Sequence, residues 1–106
     1  MTEKDFSNWV KDIGTLEIVA GEYTMSISND VETVEFLTGE KTLKEACEAL
    51  IEIADSYNVE KTISESIKEC NLPEPYINIA YLRSQTTEIK DKLMDLKELI
   101  IMYLNL

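Results

Sequence analysis

Residues 15–37 read TLEIVAGEYTMSISNDVETVEFL, and this stretch decides the fold. Leu16, Ile18 and Ala20 alternate with Thr15, Glu17 and Val19; after Gly21-Glu22, Tyr23, Met25 and Ile27 alternate with Thr24, Ser26 and Ser28. Alternation with a period of two marks half-buried strands. A Gly-X pair between two such runs suits a two-residue type II′ turn, which predicts Ala20 opposite Tyr23, Ile18 opposite Met25 and Leu16 opposite Ile27. Asn29-Asp30 predicts a second tight turn, with Met25 opposite Val34 and Tyr23 opposite Phe36. Both turns place the same apolar side chains on one face, and a slip of one residue would scatter them. The reading is a three-stranded antiparallel meander. Glu32 falls on its apolar face opposite Ile27, and the other face is polar and rich in hydroxyls, from Thr15 and Glu17 through Thr24 and Ser26 to Glu35 and Leu37.

Helical periodicity surrounds this sheet. Phe6, Trp9, Val10 and Ile13 fall at i, i+3, i+4 and i+7, and Thr2 with Asp5 resembles a capping pair, so a helix is predicted from Glu3 to Ile13, ending at Gly14. Thr42 with Glu45 is a capping box for a second helix carrying Leu43, Ala46, Leu50, Ile53 and Tyr57 to about Asn58. A shorter helix with Ile63, Ile67 and Cys70 follows, with a second box at Thr62 and Glu65 and a stop at Asn71 and Pro73. Tyr76 to Leu82 reads as a buried strand or as the start of a helix after Pro75, and helix is the preferred reading. From Thr87 to Leu104 a helix presents Ile89, Leu93, Leu96, Ile100 and Tyr103 at spacings of 4, 3, 4 and 3, the seam of a coiled coil. The fold class expected is α+β: an N-terminal helix, a three-stranded antiparallel meander and three C-terminal helices. One domain is expected over 1–106, with an acidic helix and sheet over 1–40 and a helical part over 41–106.

Composition narrows the chemistry. The chain has 106 residues, 21 Asp and Glu against 10 Lys and Arg, a net charge of −11 and no histidine. Without histidine there is no Ser-His-Asp triad, no Cys-His pair and no HExxH or Cys2His2 zinc site. Gly14, Gly21 and Gly39 lie too far apart for a glycine-rich phosphate loop. Asn29-Asp30-Val31-Glu32 lacks the alternating oxygen ligands of a calcium loop. No enzyme activity, cofactor or metal is expected. Cys47 and Cys70 read as free thiols of a reducing compartment. No secretory signal or bilayer-length apolar run is visible, which predicts a cytoplasmic chain without a membrane partner.

The charge is unevenly distributed. Residues 1–40 hold nine acids against two lysines, net −7; residues 41–73 are net −3 and residues 74–106 net −1. Glu17 and Glu35 project from the polar sheet face, whereas Glu22, Asp30, Glu32 and Glu40 sit at or beside turns, with almost no lysine to neutralise them. These six carboxylates are the candidate partner-binding residues, with Thr24 and Ser26 as hydrogen-bonding companions. Nucleic acid itself is repelled by such a surface; a basic, nucleic-acid-binding protein is attracted to it, because carboxylates on a rigid sheet can stand in for backbone phosphates. A second reading takes Leu93, Leu96, Ile100 and Tyr103 as the interface of a homodimer; the same seam reads equally well as a stripe packed on the apolar sheet face within one chain.

Three resemblances bear on this. Gly39-Glu40-Lys41-Thr42-Leu43-Lys44-Glu45-Ala46 resembles the helix start of a double-stranded RNA-binding domain, but only Lys41 and Lys44 match its basic positions. Residues 53–64 resemble a helix-turn-helix core whose second helix carries Glu60, Glu65 and Glu69 against Lys61 and Lys68, the wrong balance for DNA. Thr24-Met25-Ser26-Ile27-Ser28-Asn29-Asp30, leading through Val34-Glu35-Phe36 into the capped helix, is similar in layout to the small acidic anti-CRISPR proteins of phages. The likeness spans residues 1–71 and is one of element order, size and charge. It implies a phage or mobile-element protein that inhibits a nuclease effector by mimicking nucleic acid.

Overall fold

The computed structural model describes residues 2–70 and 78–105. Its elements are α1 (Glu3–Trp9), β1 (Thr15–Val19), β2 (Glu22–Ser28), β3 (Thr33–Leu37), α2 (Leu43–Ser56), α3 (Val59–Glu69) and α4 (Ile79–Leu104). The strands form one antiparallel sheet in the order β1-β2-β3. The architecture is the α+β arrangement expected.

Both hairpin registers differ from the reading by two residues. Val19 pairs with Glu22, Ile18 with Tyr23 and Leu16 with Met25. The turn is therefore Ala20-Gly21, with φ of +53° and +83°, the two left-handed residues of a type I′ turn, and Ala20 leaves the apolar face. Tyr23 has a competing claim that holds this register: its N–H donates to the Glu40 carbonyl at 2.9 Å and its carbonyl accepts from the Thr38 N–H at 3.1 Å. The second connection is a four-residue loop, since Ser28 pairs with Thr33, Ile27 with Val34 and Met25 with Phe36. Asn29 shapes it, because its side-chain oxygen accepts from the N–H groups of Val31 and Glu32, both at 2.9 Å. Glu32 thus leaves the strand for an exposed loop position instead of opposing Ile27. A two-residue shift preserves sidedness, so Met25 and Ile27 still face inward and are 0 % exposed.

The first helix ends at Trp9, four residues short of the reading. Beyond it the Ile13 and Gly14 N–H groups both donate to the Val10 carbonyl, a tight turn that brings Gly14 against β2. Thr2 and Asp5 form the full capping box, which holds the Asp5 carboxyl below its ordinary range through hydrogen bonds from the Thr2 backbone and hydroxyl. Thr42 caps α2 more simply, accepting from the Glu45 N–H while its hydroxyl donates to the Glu45 carboxylate. The third helix starts earlier than the Thr62 box implies, because Asn58 caps it by accepting from the Lys61 N–H. Its expected stop at Asn71 and Pro73 lies outside the described residues. Of the ambiguous stretch 76–82, residues from Ile79 onward are helical and Asn78 is the cap; residues 76 and 77 lie outside the described residues.

With 26 residues and a length of about 39 Å, α4 is the element on which the others assemble. Ile89, Leu93, Leu96 and Ile100 pack with Phe6 and Val10 of the N-terminal segment, Met25 and Ile27 of β2, and Cys47, Leu50 and Ala54 of α2. Leu93, Leu96 and Ile100 are each 0 % exposed within one chain. Tyr103 is half-buried and lies against Phe6, ring centroids 4.8 Å apart. Of the two readings of this seam, the structure shows the intrachain one: the 4-3-4-3 spacing serves the chain's own core, and the residues named for a homodimer interface are taken up there. Burial pushes the Cys47 thiol up to about 11, with the charge of Glu48 adding to it, and both cysteines are free.

Every cation of α4 reaches another part of the chain. Arg83 pairs with Glu60 at 3.0 Å and Lys97 with Asp55 at 2.6 Å. Lys90 donates to the Ala54 carbonyl and Lys92 to the Ser28 carbonyl. The last turn of α2 has no basic residue of its own, and Lys90 supplies from a distant helix the positive charge that unpaired C-terminal carbonyls favour.

Candidate binding surface

The six sequence-selected carboxylates occupy three places, not one patch. Glu17 is paired with Thr24 across β1-β2 and Glu35 with Ser26 across β2-β3, on the face turned away from the helices. Two strand spacings and a two-residue offset separate their Cα atoms by about 12 Å. Thr24 between them is only 4 % exposed, covered by its cross-strand neighbours. The same face exposes Val19 and Leu37, so its hairpin end is apolar. Beside Glu17 lies a shallow recess of about 460 Å³ that Ser26, Ser28 and Thr33 line together with Lys11 and Lys92. The sheet face is thus less lysine-poor than the sequence implies, because α4 and the α1–β1 turn each bring one to it.

Glu22 and Glu40 meet at the turn end of the first hairpin, the end where Val19 pairs with Glu22. Gly39, with φ of +70°, lets the chain turn there beside the Glu22 carboxylate. The helix α2 adds Glu45 and Glu48. A hydrogen bond to Glu45, above all, and then burial and the charges of Glu45, Glu22 and Glu48 raise the Glu40 carboxyl above its ordinary value. Two carboxyl groups sharing one proton explain the sign. The folded chain holds this proton more tightly than the unfolded one, so Glu40 favours folding below its ordinary value of 4.5 and loses that contribution as pH rises through its folded-state value. Glu40→Gln is expected to raise the melting temperature at pH 7 and to leave it unchanged below pH 4.5. Thermal melts at the two pH values check this; an equal gain at both would place the cause elsewhere.

Asp30 and Glu32 lie on the loop at the opposite end of the sheet. Burial chiefly raises the Tyr57 hydroxyl, and the charge of Glu32 adds to that, which places Glu32 beside the end of α2. Asp30 faces α4, where it borders a second recess with Glu88 and Asp91. Glu45, Glu48, Glu88 and Asp91 were not among the residues selected from sequence. Glu88 and Asp91 had a visible signal, since with Asp95 they recur at i, i+3 and i+7 on the polar side of α4.

Of the carboxylates among the described residues, only Asp55 and Glu60 sit in ion pairs, and no group of three or more potential ligands stands together to hold a metal ion. No described helix is long and apolar enough to cross a membrane. Comparison with protein-family models, with curated proteins and with solved structures returned no match.

Proposed function

We propose that this chain is a non-enzymatic inhibitor that binds a nucleic-acid-handling protein, presenting carboxylates to a basic cleft that otherwise holds nucleic acid. The observation that carries the reading is the sorting of charge by the fold. The four cations of α4 are engaged in contacts within the chain. Glu17, Glu22, Asp30, Glu32, Glu35 and Glu40, by contrast, stand on strands and turns without an ion pair among the described residues. Fixed carboxylates at such spacings attract Arg and Lys side chains and steer association. A CRISPR nuclease effector, inhibited by a phage or mobile-element protein, is the partner that the layout and charge suit.

Competition provides the test. The tagged protein is used to capture partners from a host lysate, with graded salt washes and with duplex DNA or RNA added in parallel. A nucleic-acid-handling protein is expected to be retained, to be released by salt and by the competing nucleic acid, and to be lost when Glu17→Lys is combined with Glu35→Lys. Binding that is indifferent to salt, to competitor and to this double variant overturns the reading, because charge contacts weaken steeply as salt screens them. Self-association through Leu93, Leu96, Ile100 and Tyr103 is not proposed, since those side chains pack within the chain.

A further inference from the structure

The recess between the 29–32 loop and α4 has a volume of about 450 Å³ and is bordered by Asp30, Gln85, Glu88, Asp91 and Lys92. Two acceptors beside it are unsatisfied. Gln85 is only 8 % exposed, and its Oε1 has no hydrogen-bond partner; Oε2 of Glu88 is likewise buried and unpartnered. Buried acceptors without donors are rare in native folds and destabilising, so the pair calls for a donor that the chain itself does not bring. Three carboxylates border the recess against the single ammonium of Lys92, which already donates to the Ser28 carbonyl. The wall is fixed in place: Asn29, which organises the loop, also donates from Nδ2 to the Gln85 carbonyl at 3.2 Å.

We propose that this recess receives an arginine side chain of the basic partner, its guanidinium donating to Gln85 Oε1 and Glu88 Oε2. The proposal rests on the reading of the acidic surface above and names one anchor within it. A guanidinium offers five N–H donors in a planar fork, so two can serve the buried oxygens while the others face Asp30 and Asp91. An ammonium has three donors on a compact, strongly hydrated head and serves two separate acceptors within a carboxylate rim less well. A metal ion is disfavoured, because the three carboxylates bordering the recess do not converge as a ligand group. Neither oxygen is solvent-exposed as the recess stands, so the incoming group reaches them by a rotamer change at Glu88, whose side chain is partly exposed.

The test uses the whole ¹⁵N-labelled protein at fixed ionic strength, titrated with the capped peptide acetyl-Gly-Arg-Gly-amide, its lysine and citrulline counterparts and free L-arginine. Saturable shifts are expected at the Gln85 side-chain amide and at the backbone amides of Asp30 and Glu88, with millimolar affinity. The lysine peptide should bind about fivefold more weakly or worse, and the citrulline peptide not at all. Free L-arginine should bind no more tightly than the capped peptide, because the side chain alone makes the proposed contacts. Gln85→Leu with Glu88→Leu removes two unpaired polar groups, so it should keep the melting temperature while abolishing the shifts. Shifts that do not saturate, that citrulline reproduces, or that survive in the double variant overturn the proposal; tighter binding of free L-arginine overturns a partner's side chain as the source. Should the double variant fail to fold, the peptide series on the unaltered protein still decides. If nucleic-acid-competed capture persists while the arginine peptide does not bind, only the recess is wrong. If the peptide binds while capture ignores salt and the Glu17→Lys, Glu35→Lys pair, the surface reading fails instead.

Discussion

Gly14→Ala is expected to lower the melting temperature by about 10 °C or more. An ideal Cβ on Gly14 would lie 2.2 Å from the Ser26 carbonyl oxygen, 3.0 Å from Met25 Cε and 3.2 Å from Ile27 Cγ1. The first of these is a backbone atom of the central strand, so no side-chain rotation relieves it. The α1–β1 turn must retreat from the sheet, and Phe6 and Val10, both 0 % exposed, are carried by the same segment. Overpacking of this kind typically costs 1–3 kcal/mol and occasionally more, here about 3 kcal/mol, against a total stability on the order of 5–15 kcal/mol. Gly21→Ala is the matched control. Nothing lies within 4 Å of a Cβ there, and only the positive φ of +83° opposes the change, a penalty of about 1–2 kcal/mol. Thermal melts followed by circular dichroism separate the two. A Gly14→Ala protein as stable as the unaltered one would mean that the turn does not approach β2 this closely.

Leu96→Asp is expected to abolish the folded state at 25 °C. Leu96 is 0 % exposed, in the cluster formed by α4, α2, β2 and the N-terminal segment. Truncating a buried leucine alone costs about 2–5 kcal/mol, and placing an unpaired carboxylate in its stead adds several kcal/mol more. Together these approach or exceed the whole stability of a domain this size, about 5–15 kcal/mol. Ile101→Asp, on the same helix at a position 41 % exposed, should change stability by no more than about 0.5 kcal/mol. Far-UV circular dichroism and light scattering decide between core and interface. A folded Leu96→Asp protein of lower mass than the unaltered one would return the seam to the surface of a dimer.

The sheet was legible in the sequence to an unusual depth, and its one systematic error is instructive. Alternation identifies which residues share a face, but it is unchanged by a shift of two, so it could not decide between Gly21-Glu22 and Ala20-Gly21 as the turn. Backbone partners far along the chain settled that: Thr38 and Glu40 hold the two sides of Tyr23. The role of the α4 seam was illegible for a related reason. A 4-3-4-3 spacing states that a stripe is buried, not whether the cover belongs to the same molecule. For the candidate surface, charge counted along the chain located most of the acid in residues 1–40. It could not show that Lys92 reaches Ser28 from 64 positions away, or that Glu45 and Glu88 join clusters begun by Glu40 and Asp30.

The order in which the core residues leave a ribosome follows from the place of α4. Met25 and Ile27 need Leu93, Leu96 and Ile100 above them, yet about 70 residues of synthesis separate the two groups, roughly 4–14 s at ordinary elongation rates. The meander's own contacts are local and can form early, but a small sheet with its apolar side bare is only marginally stable. A nascent chain of this protein therefore carries an unfinished sheet until α4 has been made. Folding of this unit is a closing event, triggered when α4 emerges.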